Sequence, residues 1–330
     1  MEWKNIIGHE ERIATLRGML AGGRIPHALL LAGPEGTGKM LVARTLAAAI
    51  LCSAGQGEKP CGSCNDCRLS RQGAHPDLHI VEAEGSTIKI AQIRALQYEA
   101  GMSAHINPYR VCIIQDAERM TTEAQNSLLK LLEEPPSNFV FILVAAVFQK
   151  LLVTIRSRCF LLSFQPLPAA VLAEGLAARG VAPAQADLVS RLAGGRMGMA
   201  LALLEPGGLE LRDQAATLLE AVCRQESGLV WEQGPLWEKL GNQVLDLLQY
   251  LALLLRDILV ILCGRNEKLV FNIDLLDFLM AQTKYWDEPR LMAALADVKK
   301  AQRALLANAN TRLTGEALLI RLLDGAREGR

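Results

Sequence analysis

Short apolar runs alternate with longer amphipathic stretches over the first half of the chain, and that alternation sets the expected architecture. Residues 27–32, 78–81, 111–114, 139–145 and 159–164 are continuous apolar runs of strand length. A strand covered on both faces needs no polar alternation, so such runs, several of them separated by helix-like segments, predict a parallel α/β sheet. Pro166 and Pro168 close the last run, and a helical stretch over 169–204 ends at Pro206, Gly207 and Gly208. After residue 210 the punctuation thins: of 13 prolines only Pro235 and Pro289 remain, and of 27 glycines only seven. Runs such as 244–263 and 291–307 are apolar at helical spacing, which predicts an all-helical block. The expected organisation is an α/β core over 1–166, a small helical unit over 167–209 and a helical unit over 210–330.

Composition narrows the function classes. The 330 residues are 51% hydrophobic and 5% aromatic, too apolar for a disordered chain and long enough for two or three domains. The greasiest stretch, 250–263, is interrupted by Arg256 and Asp257 and falls short of the roughly 18 apolar residues a membrane span needs. Residues 1–11 carry Glu2, Lys4, Glu10 and Glu11 with no apolar core, so a signal peptide is not expected and a cytoplasmic location is. Lys and Arg total 35 against 35 Asp and Glu; residues 1–166 hold 17 and 15 of these, leaving 18 and 20 for the remainder. No part is a basic nucleic-acid module, and any affinity for DNA has to come from local placement of charge.

Candidate chemistry begins with Gly33-Pro34-Glu35-Gly36-Thr37-Gly38-Lys39, which follows the first predicted strand and precedes an amphipathic helix over 40–51. Glycines let backbone N–H groups curl around phosphate oxygens, the helix start adds partial positive charge, and Lys39 can reach terminal phosphates. A tight turn with incidental glycines is the weaker reading, because strand, helix and the complete G-x-x-x-x-G-K pattern are all present. The next residue is Met40, where the pattern calls for a hydroxyl to hold Mg²⁺, and a thioether cannot replace it. The run 111–114 should lead into acids that bind metal and activate water; it leads into Gln115-Asp116-Ala117-Glu118. In one register Gln115 replaces the metal-binding acid, and in the other Ala117 replaces the activating one. Residues 33–40 are compatible with bound ATP, bound ADP or an empty loop, and hydrolysis is not expected.

Of the eight cysteines, Cys52, Cys61, Cys64 and Cys67 lie within sixteen positions, whereas Cys112, Cys159, Cys223 and Cys263 stand singly in apolar surroundings and read as buried small hydrophobes. The four clustered thiols match the number that a closed tetrahedral Zn²⁺ site takes. Gly62, Ser63, Asn65 and Asp66 suit the turns between ligands. A redox Cys-x-x-Cys is the competing reading; four cysteines in a reducing compartment favour a structural metal.

These pieces, with Asn126-Ser127-Leu128-Leu129-Lys130-Leu131-Leu132-Glu133-Glu134-Pro135-Pro136 and Ser157-Arg158-Cys159, resemble bacterial sliding-clamp loader subunits of the AAA+ class. The resemblance runs from Ile6-Ile7-Gly8 and His27-Ala28 through His75-Pro76-Asp77 to Asn308-Ala309-Asn310, Leu313, Glu316 and Leu318. It implies an AAA+ P-loop core with a zinc-binding insert (about 52–67), a helical lid and an all-α collar. The family has a motor branch, gamma/tau, which hydrolyses ATP, and a delta-prime branch, which resembles it and generally does not. Met40 and Gln115-Asp116 depart from the motor pattern. Val144-Ala145-Ala146 stands where motor subunits carry a hydroxyl that senses phosphate, and Gly198 stands where a G-x-x-R arginine would; Arg196, two residues early, is expected on another helix face. These losses point to the delta-prime branch, with a catalytically active gamma/tau-like ATPase as the alternative. The resemblance further implies that Arg158 is an arginine finger offered in trans to a neighbouring ATPase. Its partners would be gamma/tau and delta subunits, the sliding clamp through the complex, and primed DNA through the assembled ring.

Other residues carry blander expectations. His27 reads as a packed core residue, and His75, near the cysteines, as surplus to a filled metal shell. Glu133-Glu134-Pro135-Pro136 terminates a helix. Asn308 and Asn310 are expected to hydrogen-bond backbone, and Arg256 with Asp257 to form either a subunit contact or a solvated face.

Overall fold

The computed structural model describes residues 2–55, 57–101, 105–225, 228, 230, 234–264 and 269–327. The chain divides into two compact units: Met1–Val181 with Gly194–Met199, and Ala182–Ala193 with Ala200–Arg330. No helix among the described residues is long and apolar enough to cross a membrane.

In the first unit each predicted apolar run forms a strand: β1 (Ala28–Ala32), β2 (Leu78–Val81), β3 (Arg110–Ile114), β4 (Phe139–Ala145) and β5 (Phe160–Ser163). They make one sheet in the order β2-β3-β4-β1-β5, every neighbouring pair parallel. Period-two side-chain direction divides each buried strand between two cores. Leu29, Leu31, Val111, Ile113, Val140, Ile142 and Val144 face one cluster, together with Ile13 and Leu16 of α1 (Glu10–Ala21) and Val42, Leu46 and Ile50 of α2 (Lys39–Ile50). Leu30, Cys112, Ile114, Phe139, Phe141 and Leu143 face the other. Its cover comes from three helices: Ile93 and Leu96 of α4 (Ile90–Ala100), Leu128 and Leu132 of α5 (Thr122–Glu133), and Ile155 of α6 (Val153–Arg156). Because both faces are covered, strands β1, β3 and β4 are buried at every position and, apart from Arg110 at the start of β3, apolar throughout, which explains the unbroken runs in the sequence. The edge strand β5 differs, with Phe160 and Leu161 exposed. A short helix, α3 (Asn65–Gln72), packs on α2.

The second unit is helical. Helices Glu210–Arg224, Val244–Leu262, Glu288–Leu306 and Thr311–Arg327 pack side by side. Leu247, Leu251, Leu254, Ile258, Leu291, Val298, Leu319 and Leu322 are buried among them. Asn310 Oδ1 accepts from Leu313 N (2.9 Å) at the start of the last helix, a backbone bond of the expected kind.

Three expectations are corrected. His27 is exposed, because it lies just ahead of the buried run that begins at Ala28. Cys263 is exposed at the C-cap of Val244–Leu262, whereas Cys112 and Cys223 are buried and Cys159 half-buried. Asp257 is neither a subunit contact nor a solvated group. It is fully buried, bonds to Arg256 (2.7 Å), and accepts the backbone N–H groups of Phe271 and Asn272, with its Oδ2 2.9 Å from Asn272 N. Arg256 lies over the Phe271 ring at 4.0 Å. The pair thus anchors the segment at 271–272 to its own helix, satisfying an anion that burial alone would make costly.

Candidate functional site

Gly33 ends β1 and makes the phosphate loop sterically obligatory. Its φ is 148° and a Cβ there would sit 2.0 Å from the Phe164 carbonyl oxygen, so only glycine fits beside β5. Gly38, at φ 87°, is the N-cap of α2, and Lys39 is its first residue. Inside the loop Thr37 Oγ1 and Lys39 Nζ both donate to Pro34 O, at 2.8 and 2.7 Å. One bond to Pro34 leaves the ammonium further hydrogens for an oxyanion. Lys39 is 6% exposed, and burial pulls its pKa below the usual value, against the opposing pull of Glu118, Glu35 and Asp116. His9, in a left-handed conformation, closes the loop from outside: Nε2 lies 3.0 Å from Thr37 O and the ring meets Phe164 edge-on at 4.9 Å. Burial lowers the His9 pKa, against the opposing pull of the bond to Thr37.

Residues 33–39 thus lie together at the turn from β1 into α2, and the candidate metal positions around that turn do not join it. Met40 packs against the hydrophobic cluster. At the end of β3, Gln115 N–H bonds to Val81 O (2.9 Å), and Asp116, at φ 49°, lies 4.0 Å from Arg119. Glu118 Oε1 accepts the N–H groups of Ala146 (2.9 Å) and Val147 (3.3 Å), capping the tip of β4 where a hydroxyl would be needed. Arg196 precedes the helix Met197–Leu204 and is not on one of its faces, which corrects the expectation. A Cβ at Gly36 would meet the Arg196 Cβ at 3.3 Å, and Gly198 N donates to Gly36 O at 2.9 Å. A Cβ at Gly198 would lie 3.0 Å from Gly36 Cα, which leaves little room for a longer side chain at that position.

Arg158 lies between α6 and β5. Its Nη1 donates to Thr154 O (3.0 Å), and its Nη2 pairs with Glu133 at 2.9 Å, the two side chains 36% and 48% exposed.

The four cysteines come together with all Sγ atoms within 4.8 Å of one another. Cys52–Cys64 and Cys61–Cys67 Sγ distances are 3.9 Å each. A tetrahedron with Zn–S bonds of about 2.3 Å puts sulfurs about 3.8 Å apart, so these two pairs match Zn²⁺ and the wider separations would close by about 1 Å at most. Backbone N–H groups of Cys64 and Ser63 bring the Cys61 thiol down to about 6, which favours thiolate. Burial pushes Cys67 and Cys52 up, an imbalance that a dication would relieve. His75 stands outside the cluster. Its Nδ1 accepts from Asp77 N (3.1 Å) and its Nε2 lies 3.4 Å from Asp66, bracing the helix that carries Cys67.

Residues 8–168 match the family described as DNA polymerase III, delta subunit. A Bacillus subtilis (strain 168) protein, DNA polymerase III subunit delta′, is 33% identical over 334 residues, covering 98% of this chain and 99% of its own. The chain belongs to the DNA polymerase III subunit delta′ family. The subunit delta′ of Escherichia coli (strain K12) is 32% identical over 307 residues, 91% of this chain and 90% of that protein. Among solved structures, a DNA polymerase III gamma subunit-related protein from Thermotoga maritima matches with a TM-score of 0.52 at 20% identity, over 94% of this chain and 99% of that one. That likeness speaks for the fold, a parallel sheet followed by a helical region.

Two residues at this delta′ family site carry no motif that singles them out. His9 follows Gly8 at the chain start, and nothing in the sequence links it to Thr37. Glu118 is legible only as a second acid after β3, and its role as a cap depends on the turn at Asp116. Replacing Glu118 by Ala leaves two N–H groups without an acceptor, and is expected to lower stability by about 1–3 kcal/mol. A drop in the urea midpoint at constant m-value checks this; an unchanged midpoint removes the capping role.

Proposed function

We propose that this chain is the delta′ subunit of a DNA polymerase III clamp loader, helping to place the sliding clamp on primed DNA by supplying Arg158 to a neighbouring ATPase subunit. In this reading residues 1–166 are the AAA+ core with its zinc module, 167–209 the lid and 210–330 the collar that joins gamma/tau and delta subunits. The observation that carries it is the pairing, in one chain, of a glycine-rich phosphate cradle without its metal ligands and a half-buried arginine at Ser157-Arg158-Cys159. The cradle can hold ATP or ADP through Lys39 and the loop N–H groups. With Met40 and Gln115 at the metal positions and Glu118 committed to β4, it would not hydrolyse them. Polymerase chemistry is not part of the role, and the expected location is the cytoplasm.

Reconstitution tests the reading. With gamma/tau, delta, clamp and primed DNA supplied, clamp loading is expected to require this chain. Alone with ATP, Mg²⁺ and primed DNA it is expected to hydrolyse ATP only at background. Robust hydrolysis by the isolated chain would establish the gamma/tau-like motor instead, and a loader indifferent to its omission would remove the clamp-loader role.

A further inference from the structure

The pair formed by Arg158 and Glu133 has a feature that surface ion pairs usually lack: both partners are tied to the same rigid core. Glu133 is the last residue of α5, where Glu134, ahead of Pro135, leaves the helical conformation at φ −124° and ψ 71°. A carboxylate on the last turn is disfavoured by the helix dipole, so helix formation alone gives no reason for an acid there. α5 is fixed by Leu128, Leu131 and Leu132 beneath the sheet, and Gln125 ties it to the finger-bearing segment, its Oε1 accepting from Leu152 N at 2.8 Å. Arg158 is approached from two directions. Thr154 O and Ser157 Oγ accept from Nη1, at 3.0 and 3.5 Å, while Glu133 Oε1 takes Nη2 at 2.9 Å. Nε–H has no protein partner among the described residues, and Nη2 carries a second hydrogen.

We propose that Glu133 is a positioning residue for Arg158. It holds the long side chain in one rotamer while leaving the Nε side of the guanidinium open to the phosphate oxygens of a nucleotide on the neighbouring subunit. This rests on the arginine-finger reading above. What Glu133 removes is conformational freedom that would otherwise be lost when the neighbour docks. The pair is half-exposed and weak, so its geometry can adjust as the interface closes.

The test uses the complete reconstituted loader with clamp and primed DNA, reading kcat and KM for ATP separately. Glu133→Ala is expected to lower kcat about two- to fivefold, the range an ion pair this exposed can supply, with KM unchanged. Glu133→Gln keeps an acceptor for Nη2 and is expected to recover most of the loss, and Glu134→Ala to behave as wild type. An unchanged or raised kcat for Glu133→Ala, or a Gln variant no better than Ala, overturns the proposal. Arg158→Ala distinguishes the two levels. If it abolishes the response while Glu133→Ala leaves kcat intact, only the positioning role falls; if Arg158→Ala is also silent, the finger reading falls with it.

Discussion

Arg158→Ala, introduced into an otherwise intact loader, is expected to reduce the neighbour's clamp- and DNA-stimulated ATP hydrolysis by about 10³-fold or more. The phosphoryl group accumulates negative charge on its outer oxygens as it transfers, and a guanidinium brought across an interface meets that charge in a water-poor site. Loss of the side chain removes both the charge and the forked donors. Arg158→Lys keeps the charge and loses the fork, and is expected to recover only a small part. The loss should appear in kcat with assembly intact, since Arg158 bonds only to Thr154, Ser157 and Glu133 among the described residues of its own chain. Steady-state hydrolysis alongside size-exclusion chromatography of the variant complex separates the two effects. A variant loader that assembles and hydrolyses ATP normally would refute the trans role.

Removal of zinc from the four-cysteine cluster is expected to have the second large effect. Metal binding contributes about 10–16 kcal/mol in small structural sites, more than most domains have in total stability, so an insert that holds zinc is expected to lose its fold without it. The cluster is part of the local structure, since Cys64 Sγ accepts from Cys67 N (3.4 Å) as the N-cap of α3, and Cys61 Sγ accepts from Cys64 N (3.4 Å). Elemental analysis after anaerobic purification is expected to find about one zinc per chain, the stoichiometry of a four-thiolate site. Chelation, or Cys67→Ser, is expected to open residues 53–64 to proteolysis while the sheet, whose cores do not include the cysteines of the cluster, persists. Zinc-free protein with an intact, protease-resistant insert would exclude the structural metal.

Acid is expected to weaken the neighbouring edge of the sheet. Asp77 is buried, which by itself raises its pKa, but the N–H groups of His105, Asn107 and Ile106, at 2.7–2.9 Å, outweigh burial and hold it low. A depressed folded-state pKa means this stabilisation is present above the unfolded carboxylate pKa and disappears as pH falls through the folded value. Asp77→Asn should therefore flatten the acid limb of the stability curve. An identical pH profile for the variant would contradict this.

How much was legible depended on how local each feature is. Strands β1, β3 and β4 were readable because parallel strands covered on both faces are almost wholly apolar, and the edge strands β2 and β5 because they remain short, mostly apolar runs although partly exposed. The glycine turn between β1 and α2 was readable because Gly33, Gly38 and Lys39 serve the backbone and helix start within seven residues. The cysteines were readable because four thiols at short spacing have few alternative uses. His27 was misjudged because a single step along the chain separates it from the buried Ala28, and Cys263 because it lies past the last buried turn of its helix, where Ile258 is buried and Leu262 is already exposed. Asp257 looked like a break in a greasy helix because its partners, Phe271 and Asn272, lie fourteen and fifteen positions on.

By itself the sequence determined the order of elements, the absence of a hydroxyl at Met40 and of one acid, at Gln115 or at Ala117 according to register, and the donor types of the cysteine cluster. These follow from side-chain chemistry and from periods of two and 3.6 residues, and need no distant partner. Only the tertiary structure decided that Glu118 caps β4, that Arg196 lies beside Gly36 ahead of its helix, and that Glu133 takes hold of Arg158. Each of these joins residues brought together by the packing of helices on a sheet. A charged side chain's role is set by the few ångströms around its tip, and sequence spacing does not encode that distance.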